Sequence, residues 1–199
     1  MSSTPGGSPA QLIPTAGNAA VLFLDLQAEI LPNARTISGA RVVRSAGVLA
    51  KLAALHALPA FLSSVPPGGA FADEVLEPLG QPPLHPRTQT TAFADPALVR
   101  ELGESGRRVL VLAGVASEVV VLRTALAALA GGFVVHVAVD ACGGVDARTE
   151  EAAWRRIIAA GGVTSSVTTL AAELAGDFTT DTGGATLGLI YESIAAARV

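Results

Sequence analysis

The feature that most constrains this chain is a series of short, wholly apolar runs. Each stops at an Asp, Ser or Gly, and helical periodicity follows most of them. Ala19-Ala-Val-Leu-Phe-Leu24 halts at Asp25, Arg108-Val-Leu-Val-Leu-Ala113 ends at Gly114, and Phe133 to Val139 ends at Asp140. A half-exposed strand alternates apolar and polar residues. A run that is apolar at every position belongs to a strand covered on both faces, as in a parallel sheet between two layers of helices. Pro59-Ala-Phe-Leu-Ser63 supplies another strand, and one is expected near Leu84 to Arg87 despite the prolines around it. Gly161-Gly-Val-Thr-Ser165 leads into a sixth.

Helices fill the intervals. Ser38 to about His56 keeps Arg41, Arg44 and Lys51 on its polar face. Asp95 and Pro96 read as an N-cap and a first-turn proline, opening a helix to about Glu104. Ser117 is placed to cap a helix from Glu118 to Ala130, which Gly131-Gly132 terminates. Further helices are expected over Thr149 to Ala160 and from about Leu170, then a Gly-rich turn at Thr182-Gly-Gly184 and a helical tail. The pattern predicts a three-layer α/β/α protein with a Rossmann-like six-stranded parallel sheet. Its single domain should span residues 18–199, behind a flexible arm over 1–17 that is rich in Ser, Pro, Gly and Thr.

Composition narrows the function. Half of the 199 residues are hydrophobic and 15% are charged, which excludes a largely disordered chain. Seventeen acidic residues against thirteen basic ones give a net charge of -4, the wrong sign for a nucleic-acid surface. The mean hydropathy is high at +0.52. Yet Asp25, Arg123, His136 and Asp140 break the apolar runs, and none reaches the roughly 18 residues of a membrane span. The opening residues are polar, with neither a basic start nor an apolar segment, so a cytoplasmic location is expected. Cys142 is the sole cysteine, which excludes an internal disulfide and a cysteine zinc site. His56, His85 and His136 share no ligand spacing, and the glycine pairs lack a dinucleotide fingerprint. Neither metal nor cofactor is expected.

In parallel α/β sheets ligands bind beyond the carboxyl ends of the strands. That directs attention to Asp25, Ser63, Arg87, the 114–120 segment and Asp140. Asp25 follows an apolar strand directly, where a carboxylate is costly unless compensated. It reads as a general acid or base, or else as an acceptor for backbone N–H groups of the next loop. Arg87 could pair with Asp25 or grip an anionic substrate, or lie on a surface edge. Gly114-Val-Ala-Ser-Glu-Val-Val-Val121 turns from strand into a helix whose N–H groups can stabilise an anion. Ser117 there reads as a cap rather than a nucleophile, because no histidine is placed nearby by sequence. Cys142 reads as a small buried residue rather than a reactive thiol.

Several stretches, in this order, resemble the isochorismatase-like hydrolases, also called the cysteine hydrolase superfamily. They are Leu22-Phe-Leu-Asp-Leu-Gln27, Arg87-Thr-Gln-Thr-Thr-Ala-Phe93, Val109-Leu-Val-Leu-Ala-Gly-Val115 and Val139-Asp-Ala-Cys-Gly-Gly144. Ala153-Trp154, Ala159-Ala-Gly161 and the tail Gly183-Gly-Ala-Thr-Leu-Gly188 continue the match. The resemblance implies an Asp, a Lys and a nucleophilic Cys that cleave C–N bonds, with an oxyanion held by backbone N–H groups near a cis peptide. By the same resemblance Asp25 is the family aspartate and Arg87 stands at the lysine position. Substrate or oxyanion contacts are implied for Gln27, Phe93, Ala116, Ser117, Val119 and Val120. The family pattern Gly-Val-x-Thr/Ser-x-Val-Cys reads here Gly114-Val-Ala-Ser-Glu-Val-Val120, with valine in place of the cysteine.

Valine has no lone pair and forms no covalent intermediate, and Lys51, in mid-helix, is badly placed to substitute for a site lysine. Three readings follow. The chain is a hydrolase of a small molecule working by Asp25-centred acid/base chemistry, as the resemblance implies for isochorismatases that lack the cysteine and protonate a vinyl ether. Alternatively it is an inactive relative that keeps the pocket for binding or the surface for assembly. The third reading makes Ser117 a replacement nucleophile. The apolar C-terminal helix, Thr186 to Ala197, is expected to join copies into a homo-oligomer.

Overall fold

The computed structural model describes residues 13–197. Most of the arm expected over 1–17 lies outside the described residues. The part within them closes a turn through Asn18, whose Oδ1 accepts from the Thr15 N–H at 2.8 Å and whose Nδ2 donates to the Ile13 carbonyl at 3.0 Å.

Six strands follow: β1 (Ala19–Leu24), β2 (Ala60–Ser64), β3 (Leu84–Pro86), β4 (Val109–Val115), β5 (Val134–Gly143) and β6 (Val163–Ser165). They form one sheet in the order β3-β2-β1-β4-β5-β6, and every pairing is parallel. The helices are α1 (Gly39–Leu55), α2 (Asp73–Leu76), α3 (Pro96–Glu104), α4 (Leu122–Ala130), α5 (Ala147–Ala159), α6 (Val167–Ala175) and α7 (Asp181–Ala196). This is the three-layer α/β/α arrangement that the apolar runs predict. Ala19, Val21 and Phe23 of β1 pack with α1 and α6, while Ala20, Leu22 and Leu24 pack with α3 and α4 on the opposite face. The chain builds outward from β1 to β3, then returns to lay β4 beside β1. Strand order reverses between β1 and β4, and the crevice at their carboxyl ends is the natural ligand site.

Local chemistry explains most boundaries. Ser38 caps α1 by accepting from the Arg41 N–H, Asp95 caps α3 through Ala97, and Asp146 caps α5 through Arg148. Four expectations need correction. β5 does not stop at Asp140 but runs to Gly143, because pairing with β4 resumes at Gly114↔Cys142 after an irregularity beyond Leu112↔Val137. Ser117 is not a helix cap: Ala116 holds that position without a side-chain bond, and a π-helical turn, Ser117–Val121, precedes α4. The Thr182-Gly-Gly184 segment is no turn but the start of α7, capped by Thr180 through Gly183. Gly183 is needed there because a Cβ would run into the Asp177 carbonyl. Finally, α6 starts at Val167 rather than near Leu170, with Ser166 as its cap. Among the described residues no helix is long and apolar enough to cross a membrane.

Candidate active site

Asp25 leaves β1 with φ 53, a left-handed backbone that turns the chain sharply. Its N–H donates to the Ser63 carbonyl at 3.0 Å, and its own carbonyl accepts from the Gln27 N–H at 2.8 Å. Arg87 follows β3, and its N–H donates to the Ser64 carbonyl at 2.9 Å, continuing the ladder. The adjacent register of β1, β2 and β3 therefore brings the two side chains together. Arg87 Nη1 donates to Asp25 Oδ1 at 2.6 Å and Nη2 to Oδ2 at 2.7 Å. Both residues are only 5% exposed. Burial pushes the Asp25 carboxyl above the ordinary carboxylate value, against the opposing pull of the Arg87 hydrogen bonds and charge. Ser63, fully buried, accepts from Arg87 Nη1 at 3.2 Å and is a third member of this cluster. The sequence marks it only as a strand end.

Across the crevice the peptide bond Val115–Ala116 is cis, the feature expected near an oxyanion site. The π-helical turn then aims Val120 inward, 2% exposed, and leaves Val119 at the rim, 47% exposed. Asp25, Arg87, Ala116, Val119 and Val120 line one cavity of about 300 Å³. Val65, Val115, Ile30 and Val145 complete its hydrocarbon wall, and Asn33 with Thr88-Gln89-Thr90 completes its polar edge. Asn33 and Val145 have no signal in sequence, since they come from loops brought together by the fold, and Gln89 is marked there only by the stretch from Arg87 to Phe93.

Three of the residues implied by resemblance do not line this cavity. Gln27 pins the neighbouring loop: its Nε2 donates to the carbonyls of Val65 and Gly69, and its Oε1 accepts from the Val65 N–H. Phe93 packs edge-on against Phe133, centroids 5.8 Å apart. Ser117 has no exposed surface, and its hydroxyl donates to Glu150 Oε1 at 2.7 Å.

Among the described residues, neither a thiol nor a lysine amine reaches the cavity. Cys142 lies inside β5, 1% exposed, and burial drives its thiol far above the ordinary value. Lys51 pairs with Glu192 of α7 at 2.5 Å, on the outer surface. No cluster of His, Cys, Asp and Glu among the described residues is arranged to hold a metal ion.

A buried carboxylate at the reversal point of a parallel sheet, facing an apolar cavity, defines a Rossmann-like α/β protein with a small-molecule-sized site. The isochorismatase domain model matches residues 19–169, and the chain belongs to the isochorismatase family. It is similar to the probable hydrolase YcaC of Escherichia coli, 32% identical over 171 residues, covering 84% of this chain and 82% of that protein. The structure of YcaC from Pseudomonas aeruginosa, solved with hexane-2,5-diol and covalent acrylamide, superimposes with a TM-score of 0.85 at 30% identity. That match covers 98% of this chain and 96% of the other. The crystal structure of the E. coli YcaC product, described as an octameric hydrolase of unknown specificity, gives a TM-score of 0.86 at 30% identity. It covers 94% of this chain and 93% of that one.

Proposed function

We propose that the chain is a hydrolase of a small, largely apolar molecule that works without a covalent intermediate, with Asp25 as the proton-transferring group and Arg87 holding it in place. The observation that carries this reading is a cavity around a buried carboxylate that neither the thiol nor the Ser117 hydroxyl lines, with Val120 on its wall. Val120, at the position assigned to the family cysteine, offers only methyl groups. The lone thiol is buried in β5, and the Ser117 hydroxyl is committed to Glu150. A carboxyl raised by burial retains its proton to higher pH and suits a general acid. In this scheme Asp25 protonates the substrate at the bond to be broken, water completes the hydrolysis, and the hydrocarbon wall shields the proton transfer from bulk solvent.

A second reading is favoured by one specific observation: both Asp25 oxygens are already engaged by Arg87, which suits a fixed binding floor as well as a proton donor. A panel of small amides, esters and enol ethers separates the two. The first reading expects turnover in the parent, no initial burst, and no adduct by intact mass. Asp25→Asn should then lose turnover while keeping ligand affinity, seen as an undiminished thermal shift. Ligand-induced stabilisation without turnover on any of these classes supports the binding role. An acyl adduct on any residue overturns both.

We also infer assembly into a homo-oligomer through α7, whose outer face presents Tyr191, 66% exposed, beside Ile194 and the glycines 184 and 188. Light scattering that gives a monomer mass at high concentration refutes it.

A further inference from the structure

β3 is an edge strand of three residues, and Pro82, Pro83 and Pro86 remove backbone donors from it and its approach. It meets β2 only at Leu62↔Leu84, Ser63↔His85 and Ser64↔Pro86. Such a strand is a weak platform for an arginine that must meet a carboxylate in two short hydrogen bonds. His85, two residues before Arg87, supplies a second fastening. It is 7% exposed, with Nδ1 3.1 Å from Asp95 Oδ2 and Nε2 3.3 Å from Glu101 Oε2. The Asp95 contact has hydrogen-bond geometry, and Glu101 stands at ion-pair distance from the other ring nitrogen. The further charge at this cluster is Arg100, 3.7 Å from Glu101. Asp95 is itself fixed, since its other oxygen accepts from the Ala97 N–H at the start of α3. On the opposite side the His85 carbonyl accepts from the Ser63 hydroxyl at 3.4 Å, the same hydroxyl that accepts from Arg87.

We propose that the His85–Asp95–Glu101 clamp is the positioning device that holds Arg87 on Asp25, by fastening the edge strand to α3. His85 is thus a positioning residue: it touches neither the cavity nor Asp25 and acts through β3 and Ser63. The inference rests on reading Asp25 as the proton-carrying group, yet its test needs no substrate. Its failure and a failure to find turnover are therefore separate results.

The test is the titration of the Asp25 carboxyl, followed by carbon NMR in the parent, in His85→Gln and in Glu101→Gln, with circular dichroism confirming the fold. A loosened Arg87 gives up part of its downward pull on Asp25. The expected result is a midpoint higher by about one pH unit in His85→Gln, and a smaller rise in the same direction in Glu101→Gln. A purely structural role would lower the melting temperature and leave the midpoint of the folded protein where it was. Coincident midpoints in the folded variants overturn the proposal. Should His85→Gln fail to fold, Glu101→Gln decides alone, because Glu101 sits at the solvent edge of the clamp.

Discussion

The Ser117 hydroxyl donates to Glu150 Oε1 at 2.7 Å, joining the π-helical turn beside the cavity to the first turn of α5. A hydroxyl held by a carboxylate with no exposed surface is placed to brace the turn rather than to attack a substrate. Removing it leaves the partly buried carboxylate short of a charge-assisted partner. Ser117→Ala is expected to cost about 1.5–3 kcal/mol in stability, read by urea unfolding, with no loss of ligand-induced stabilisation.

How far the sequence discloses this arrangement depends on whether the deciding contact is local. The continuous apolar runs of β1 and β4 state their own burial, and the strand-end rule brings Asp25 and Arg87 forward as partners. Ser117 misleads because a serine ahead of a helical segment looks like a cap. The carboxylate that captures it is 33 residues away in the chain. The end of β5 is hidden for a similar reason, since its extension to Gly143 depends on the resumed pairing with Gly114 and Val115. Ser63 and His85 gain their roles only from the register of β2 with β3, which no periodicity encodes.

Val120 lines the same cavity as Asp25, which makes chemical reactivity a direct probe of the site. In the parent the only thiol is Cys142, fully packed within β5. Native protein is therefore expected to resist acrylamide, and unfolded protein to take one equivalent. Val120→Cys should gain one adduct in the native state by intact mass, because position 120 lines the cavity. An unmodified native variant would show that the cavity does not admit a small amide.

Gly114 of β4 pairs with Leu24 of β1, with φ +155, and a Cβ there would collide with the Leu24 carbonyl and side chain. Both neighbours are central-strand groups with no room to retreat. Gly114→Ala is expected to lose about 2–4 kcal/mol, at or beyond the usual cost of overpacking. Thermal denaturation checks it. A variant as stable as the parent would mean that β1 and β4 can separate locally.

A half-buried carboxyl and a buried imidazole, both away from the cavity, give the stability opposite dependences on pH. The Asp140 carboxyl, between β5 and α6, is raised by burial, against hydrogen bonds led by the Val167 N–H and the charge of Arg41. Its folded form holds a proton that the unfolded chain releases at its ordinary value near 3.8. Stability from this group is therefore lost as pH climbs from there through the folded value. His56 behaves in the reverse sense. It sits at the end of α1, 2.8 Å from the Thr186 hydroxyl, which itself donates to the Thr182 carbonyl. Thr186 thus accepts from the ring, and burial holds the imidazole below its ordinary value of 6.5. Here the unfolded chain binds the proton more readily, so stability falls as pH drops below 6.5 toward the folded value. Asp140→Asn keeps an oxygen for the Val167 N–H and removes the titration. Its unfolding free energy should decline less than the parent's between pH 4 and pH 8, while the weakening below 6.5 set by His56 persists. Parallel curves for parent and variant across that whole range would refute the assignment to Asp140.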